Sequence, residues 1–161
     1  MSIKYQGGFL ISKIKNVSGR IFSRMLRQFE VEINPAQGRI MFALWQNDGI
    51  PIQELAKRTS LGKSTLTSML DRLEQLGYVI RERSKADRRT ILIRRTAKDR
   101  ALQETYERVS NEMSNVYYNG FSEREIETFE STLERILKNL TDADVVSQGH
   151  SHNRKKGTAD E

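Results

Sequence analysis

Lys63, Ser64, Thr65, Thr67 and Ser68, followed one turn later by Arg72, place two cations and four hydroxyls within a stretch of ten residues. Read at 100° per residue, Leu66, Met69, Leu70, Leu73 and Leu76 gather on one side, while Ser64, Ser68, Asp71 and Gln75 lie opposite, with Thr67 and Arg72 on the flanks. The spacing predicts an amphipathic helix over 63–77. Its outer face opens on short hydroxyls, which are mediocre helix formers, so helix stability does not account for them. Hydroxyls and an arginine on the first turns of an exposed helix suit phosphate oxygens and base edges in a DNA major groove, where the helix N-terminus adds its dipole. A plain solvated helix is the alternative. The next segment weighs against it: Ser84-Lys85-Ala86-Asp87-Arg88-Arg89 is a basic loop between two β-rich runs, Tyr78–Arg83 and Thr90–Arg95. That hairpin would be a wing able to reach the groove or backbone beside the helix.

Other chemistries find little support. With no cysteine, disulfides, Cys-ligated zinc, iron–sulfur clusters and thiol switches are excluded. The two histidines, His150 and His152, lie in the C-terminal tail at i, i+2 and make at best a weak adventitious site, so no metal role and no cofactor is expected. There is no Ser/His/Asp set or phosphate loop, and the chain is not expected to be an enzyme. No apolar run approaches the ~18 residues of a membrane span, and the N-terminus lacks a signal-peptide core, so a cytoplasmic location with no membrane partner is expected.

The charge is placed as a polyanionic partner would require. The sequence pI is about 9.7 and the formal net charge +6. Residues 1–49 carry 7 basic and 3 acidic side chains, residues 50–100 carry 13 and 6, and residues 101–161 carry 7 and 12. The positive excess surrounds the proposed recognition helix and wing.

The elements that must position these groups follow from periodicity. Leu10, Ile14, Val17, Ile21, Met25 and Phe29 predict a long first helix over 9–32. Asn34-Pro35 reads as an N-cap and first helical position for a second helix, which Asn47-Asp48-Gly49 ends. Ile50-Pro51-Ile52 can form a short extended piece, and Gln53–Thr59 a third helix, so 53–77 reads as a helix-turn-helix closed by Gly77. Thr96 with Asp99 three residues on, and Ser122 with Glu125, read as capping boxes that start two further helices, the last ending near Leu140. The tail, residues 141–161, has no apolar periodicity and is expected to be disordered.

The fold class is therefore mainly α with a small β-hairpin (α+β): a winged helix-turn-helix lobe over 34–95 and long terminal helices, 9–32 and 96–140. Those helices carry more apolar stripe than a small winged core can cover, so they are expected to form a homodimerisation lobe. A two-fold dimer sets two recognition helices roughly 34 Å apart, matching a pseudo-palindromic operator in double-stranded DNA.

Over about residues 9–140 the chain resembles the MarR family of winged-helix transcription regulators, most specifically in Ile52-Gln53-Glu54-Leu55-Ala56, Ser64-Thr65-Leu66-Thr67, Leu73-Glu74-Gln75-Leu76-Gly77-Tyr78-Val79 and the wing Asp87-Arg88-Arg89. The resemblance implies a homodimeric repressor of about one such domain, released from its operator by a small anionic or phenolic effector. It implies that Arg89 enters the minor groove and that Asp87 orients it. Lys63, Ser64, Thr65, Thr67, Ser68 and Arg72 would then face the major groove or its phosphates, with Lys85 on phosphate and Arg88 beside Arg89. It also implies an effector pocket between the lobes, for which Arg20, Arg24, Phe42, Trp45 and Tyr106 are candidates, with Tyr5, Phe9 and Tyr117 beside them. Two positions depart from the family pattern. Arg95 stands where a leucine is usual and Asp99 where a glycine is usual. The competing readings are a winged-helix protein-interaction module and a non-specific DNA-binding protein.

Overall fold

The computed structural model describes residues 4–154, with side chains through Val145. They fall into two compact units, one ending at Tyr117 and the other beginning at Tyr118. The element order in the first unit is α1 (Gly7–Gln28), α2 (Pro35–Gln46), β1 (Ile50–Pro51), α3 (Ile52–Thr59), α4 (Lys63–Gln75), β2 (Val79–Arg83), β3 (Ile91–Arg95) and α5 (Asp99–Tyr117). The second unit is built on α6 (Glu123–Arg154).

Each boundary has a local cause. The α1 helix stops at Gln28, short of the expected Glu32, because Glu30 takes a left-handed conformation at φ 55° while Val31 donates its amide to Leu26 O at 2.9 Å. Asn34 caps α2 through a full capping box: its side chain accepts from Gln37 N at 2.9 Å and its own amide donates to Gln37 Oε1 at 3.0 Å. The α4 helix ends in a Schellman arrangement in which Gly77 N donates to Glu74 O and Tyr78 N to Leu73 O, with Gly77 at φ 79°. A side chain at Gly77 would be strained there.

The hairpin is part of a three-stranded antiparallel sheet of order β1-β3-β2, in which Ile50 pairs with Ile93 and Arg81 with Ile93 on its other side. Leu66, Leu70 and Leu73 from α4 are fully buried with Leu55, Ile40, Leu44, Val79 and Ile93, so helix-turn-helix and wing share one core. Met69 and Leu76 pack against its edge. Gly38 on α2 lets α5 approach closely: a Cβ there would lie 1.9 Å from Tyr106 Oη.

Two helix starts and ends differ from expectation. The α5 helix begins at Asp99, not at Thr96. The Thr96 hydroxyl donates to Gly77 O at 2.6 Å, so it fastens the end of α4 to the exit of the wing and does not cap α5. At the other end, α6 runs to Arg154, not to Leu140, and the expected disorder of 141–154 is replaced by helix. Loss of apolar periodicity removes a buried face but does not break a helix. No proline follows Leu140 within the helix, and Lys138 pairs with Asp142 at 2.6 Å one turn on. The last seven tail residues lie outside the described residues. Ser122 does cap α6 as expected, its amide donating to Glu125 Oε2 at 2.8 Å, and this pairing holds the Glu125 carboxyl below the usual carboxylate range.

Candidate nucleic-acid interface

The N-terminal turns of α4 are open. Gly62 at the N-cap offers no side-chain acceptor, so the first amides of the helix keep donors for an outside anion. The opposite end is closed down by protein groups: Lys98 Nζ donates to Leu76 O at 2.7 Å, and lies 4.8 Å from the Tyr78 ring centroid. Tyr78 in turn donates its hydroxyl to Glu32 Oε2 at 2.7 Å, and burial, then that carboxylate, push its pKa up to about 12. The helix is anchored at its C-terminus and free at its N-terminus.

Lys63, Ser64, Thr65, Thr67, Ser68 and Arg72 are all exposed on α4, and Lys85, Asp87, Arg88 and Arg89 are all exposed in the wing loop. Thr67 donates its hydroxyl to Lys63 O at 2.9 Å, which leaves the oxygen's lone pairs outward as acceptors. The wing loop is shaped by two short side chains. Ser84 Oγ accepts from the amides of Ala86 and Asp87 at 3.3 Å each, and Asp87 accepts from Arg89 N and from Thr90 Oγ1 at 3.0 Å each. Asp87 therefore acts on the backbone of Arg89. Asp87 and Arg89 are not among the described ion pairs; their link is through the Arg89 amide.

One residue that periodicity did not single out joins the two surfaces. Arg81, on β2, reaches Asp71 Oδ1 at 2.6 Å and Glu74 on the outer face of α4, and its amide donates to Glu74 Oε1 at 3.2 Å. A single guanidinium thus pairs with two carboxylates one turn apart on the helix that carries the hydroxyls.

Arg95 and Asp99, the two departures, are partners. Asp99 is fully buried, pairs with Arg95, and accepts from Trp45 Nε1 at 3.0 Å to Oδ1 and 3.1 Å to Oδ2. Arg95 also donates to Gln103. Tyr106 is buried and Trp45 is half-buried against the core: their rings meet edge to face at 5.3 Å, Phe22 packs on Tyr106 at 5.5 Å, and burial pushes the Tyr106 pKa up to about 12. Phe42 is exposed elsewhere on α2. Arg20 and Arg24 line a groove of about 840 Å³ between α1, the start of α2 and the end of α5. Tyr117 borders it too, whereas Tyr5 and Phe9 are exposed at the start of the chain.

Among the described residues, no group of three or more His, Cys, Asp or Glu side chains could hold a metal ion, and no helix is long and apolar enough to cross a membrane.

A short helix, turn and second helix backed by a three-stranded sheet, with the hairpin beside the second helix, defines a winged helix-turn-helix. Over that region, residues 33–91, the chain matches the model of the MarR family. It is 31% identical over 102 residues to the HTH-type transcriptional regulator TtmR of Methylorubrum extorquens, covering 63% of this chain and 51% of that protein. It is 32% identical over 75 residues to the organic hydroperoxide resistance transcriptional regulator of Bacillus subtilis, covering 47% and 51%. The alignments thus span about half the length of these two curated relatives. Among solved structures it is similar to a variant of MarR from E. coli complexed with operator DNA, with a TM-score of 0.73, 25% identity and coverage of 84% of this chain and 99% of that one. Bordetella bronchiseptica BpsR, whose DNA binding is regulated by 6-hydroxynicotinic acid, shares the fold with a TM-score of 0.76 and 20% identity, over 84% and 96% of the two chains.

Proposed function

We propose that this chain is a sequence-specific, DNA-binding transcription regulator, and not an enzyme, that acts as a homodimer in the cytoplasm. The observation that carries the reading is the joint presentation of α4 and the wing: ten exposed candidate residues on two elements that share a buried core and are clasped by Arg81. The first turns of α4, with Ser64, Thr65, Thr67 and Ser68, enter the major groove, and Arg72 and Lys63 take phosphates or base edges. The wing, with Arg89 at its tip and Lys85 and Arg88 beside it, reaches the minor groove, where a narrow A·T-rich stretch concentrates negative potential.

Dimerisation is supported by apolar surface left open on α1 and α6. Leu10, Ile14 and Val17 border an apolar groove of about 420 Å³ with Met113 and Val116, and Ile136, Leu137 and Leu140 are exposed on α6. A second copy covers such surface and supplies the second recognition helix. In this reading the protein represses by occupying a pseudo-palindromic operator, and a small anionic or phenolic effector at the groove containing Arg20 and Arg24 favours a dimer with mis-spaced recognition helices.

Salt dependence separates this from the alternatives. About 6–10 phosphate contacts predict a loss of roughly 10³–10⁵ in affinity between 50 and 200 mM salt, with a selected duplex retained over random sequence at both ends. Equal affinity for both duplexes identifies a non-specific binder. No binding to either identifies a protein-interaction module.

A further inference from the structure

The 840 Å³ groove carries an unbalanced charge. Lys15, Arg20, Arg24, Arg27 and Arg39 line it, and no carboxylate does. None of the five makes an ion pair or side-chain hydrogen bond among the described residues, whereas Arg58, Arg81, Arg94 and Arg95 each face a carboxylate. Holding five like charges around one concavity without counter-ions is unfavourable for folding and favourable for a ligand that supplies them. Phe22, Met113 and Tyr117 add apolar and aromatic surface to the same groove. Its volume falls within the range of small-ligand sites, and a DNA duplex about 20 Å across does not fit it.

We infer that this groove binds an organic polyphosphate: a flat ring against Phe22, Met113 and Tyr117, and a chain of two or more phosphates spanning the arginines. A ligand with a single carboxylate would neutralise one of the five cations. A phosphate chain presents several oxygens to guanidinium forks, which match them bidentately. The inference deepens the effector reading of this groove by assigning the ligand's charge class, yet binding itself is measurable without DNA.

The test is titration calorimetry on the full chain at about 150 mM KCl without divalent cations, using ATP, tripolyphosphate and benzoate as probes. The expected order is ATP tightest, tripolyphosphate next and benzoate at least tenfold weaker than ATP. The double variant Arg24→Gln/Arg39→Gln should lower ATP affinity at least tenfold with unchanged circular dichroism, while Lys85→Gln/Arg88→Gln in the wing should leave it unchanged. Benzoate binding tighter than ATP, ATP binding insensitive to the Arg24/Arg39 pair, or ATP binding lost with the wing pair would each overturn the inference. Operator binding is measured in parallel on the same preparations. Retained operator binding with no ATP binding refutes the ligand class alone, and the converse refutes the DNA-binding reading alone.

Discussion

Replacing Arg81 with glutamine tests how the two surfaces proposed to face DNA are tied together. Asp71 and Glu74 are substantially exposed, so the loss of folding stability should be small, about 1 kcal/mol or less, as for other exposed ion pairs. The loss in DNA affinity should be of similar size. Removing the guanidinium lowers the net charge near the duplex by one and leaves Asp71 and Glu74 unpaired. At roughly 10 Å and a water-like dielectric that charge contributes about 0.4 kcal/mol against each nearby phosphate, and screening over about 8 Å limits the sum over a few phosphates to roughly 0.5–1 kcal/mol, or two- to fivefold in affinity. Fluorescence anisotropy with a selected duplex measures the affinity, and urea unfolding the stability. Charge is separated from geometry by the triple variant Arg81→Gln/Asp71→Asn/Glu74→Gln, which carries one more positive charge than the parent. If Arg81 also holds β2 at the correct distance from α4, Arg89→Ala should cost less in this background than in the parent, with a coupling of at least about 0.5 kcal/mol. Additivity within about 0.3 kcal/mol, together with unchanged affinity for Arg81→Gln, would refute the clasp.

Three further outcomes are expected. Arg89→Ala should weaken binding by about 1–3 kcal/mol in the same anisotropy assay, and mainly for duplexes with an A·T-rich flank. Asp99→Gly should cost about 3–5 kcal/mol in urea unfolding, because it leaves Arg95 without its carboxylate and Trp45 Nε1 without its acceptor. Adding Arg95→Leu should recover much of that loss, since it removes the uncompensated charge. Stability should fall on the alkaline side: Tyr106 has a pKa raised by burial to about 12, above the value of about 10 expected unfolded. Its neutral form therefore stabilises the fold fully below pH 10, and roughly 2–3 kcal/mol is lost as pH rises from 10 through 12, which unfolding followed by circular dichroism will show.

What could be read from the sequence was mostly local. The stripe of Leu66, Leu70 and Leu73, the Asn34 and Ser122 caps and the glycine at 77 depend on neighbours within one or two turns, and the structure places them as their spacing implies. What escaped depends on distant contacts. That Arg81 meets Asp71 and Glu74 becomes visible only once β2 is known to return beside α4. Thr96 looked like a helix cap, but its hydroxyl goes to Gly77 O, which no local pattern could announce. A helical stripe does not say whether its face meets solvent or another helix: Gly38 lets α5 bring Tyr106 in, so Tyr106 is buried while Trp45 stays half-buried. Arg95 and Asp99 looked like two independent departures, yet they are one buried pair. The α6 helix runs past its last apolar turn because apolar periodicity marks a buried face and not the limit of a helix.

The most direct measurement is recovery of genomic DNA fragments by the purified protein at about 150 mM salt, followed by sequencing and by footprinting of whatever is recovered. The account predicts a few fragments that share an inverted repeat, with protection centred on two major grooves about one helical turn apart and, flanking them, minor-groove protection that disappears with Arg89→Ala. Recovery of unrelated sequences in proportion to their abundance, or protection without two-fold symmetry, would contradict it.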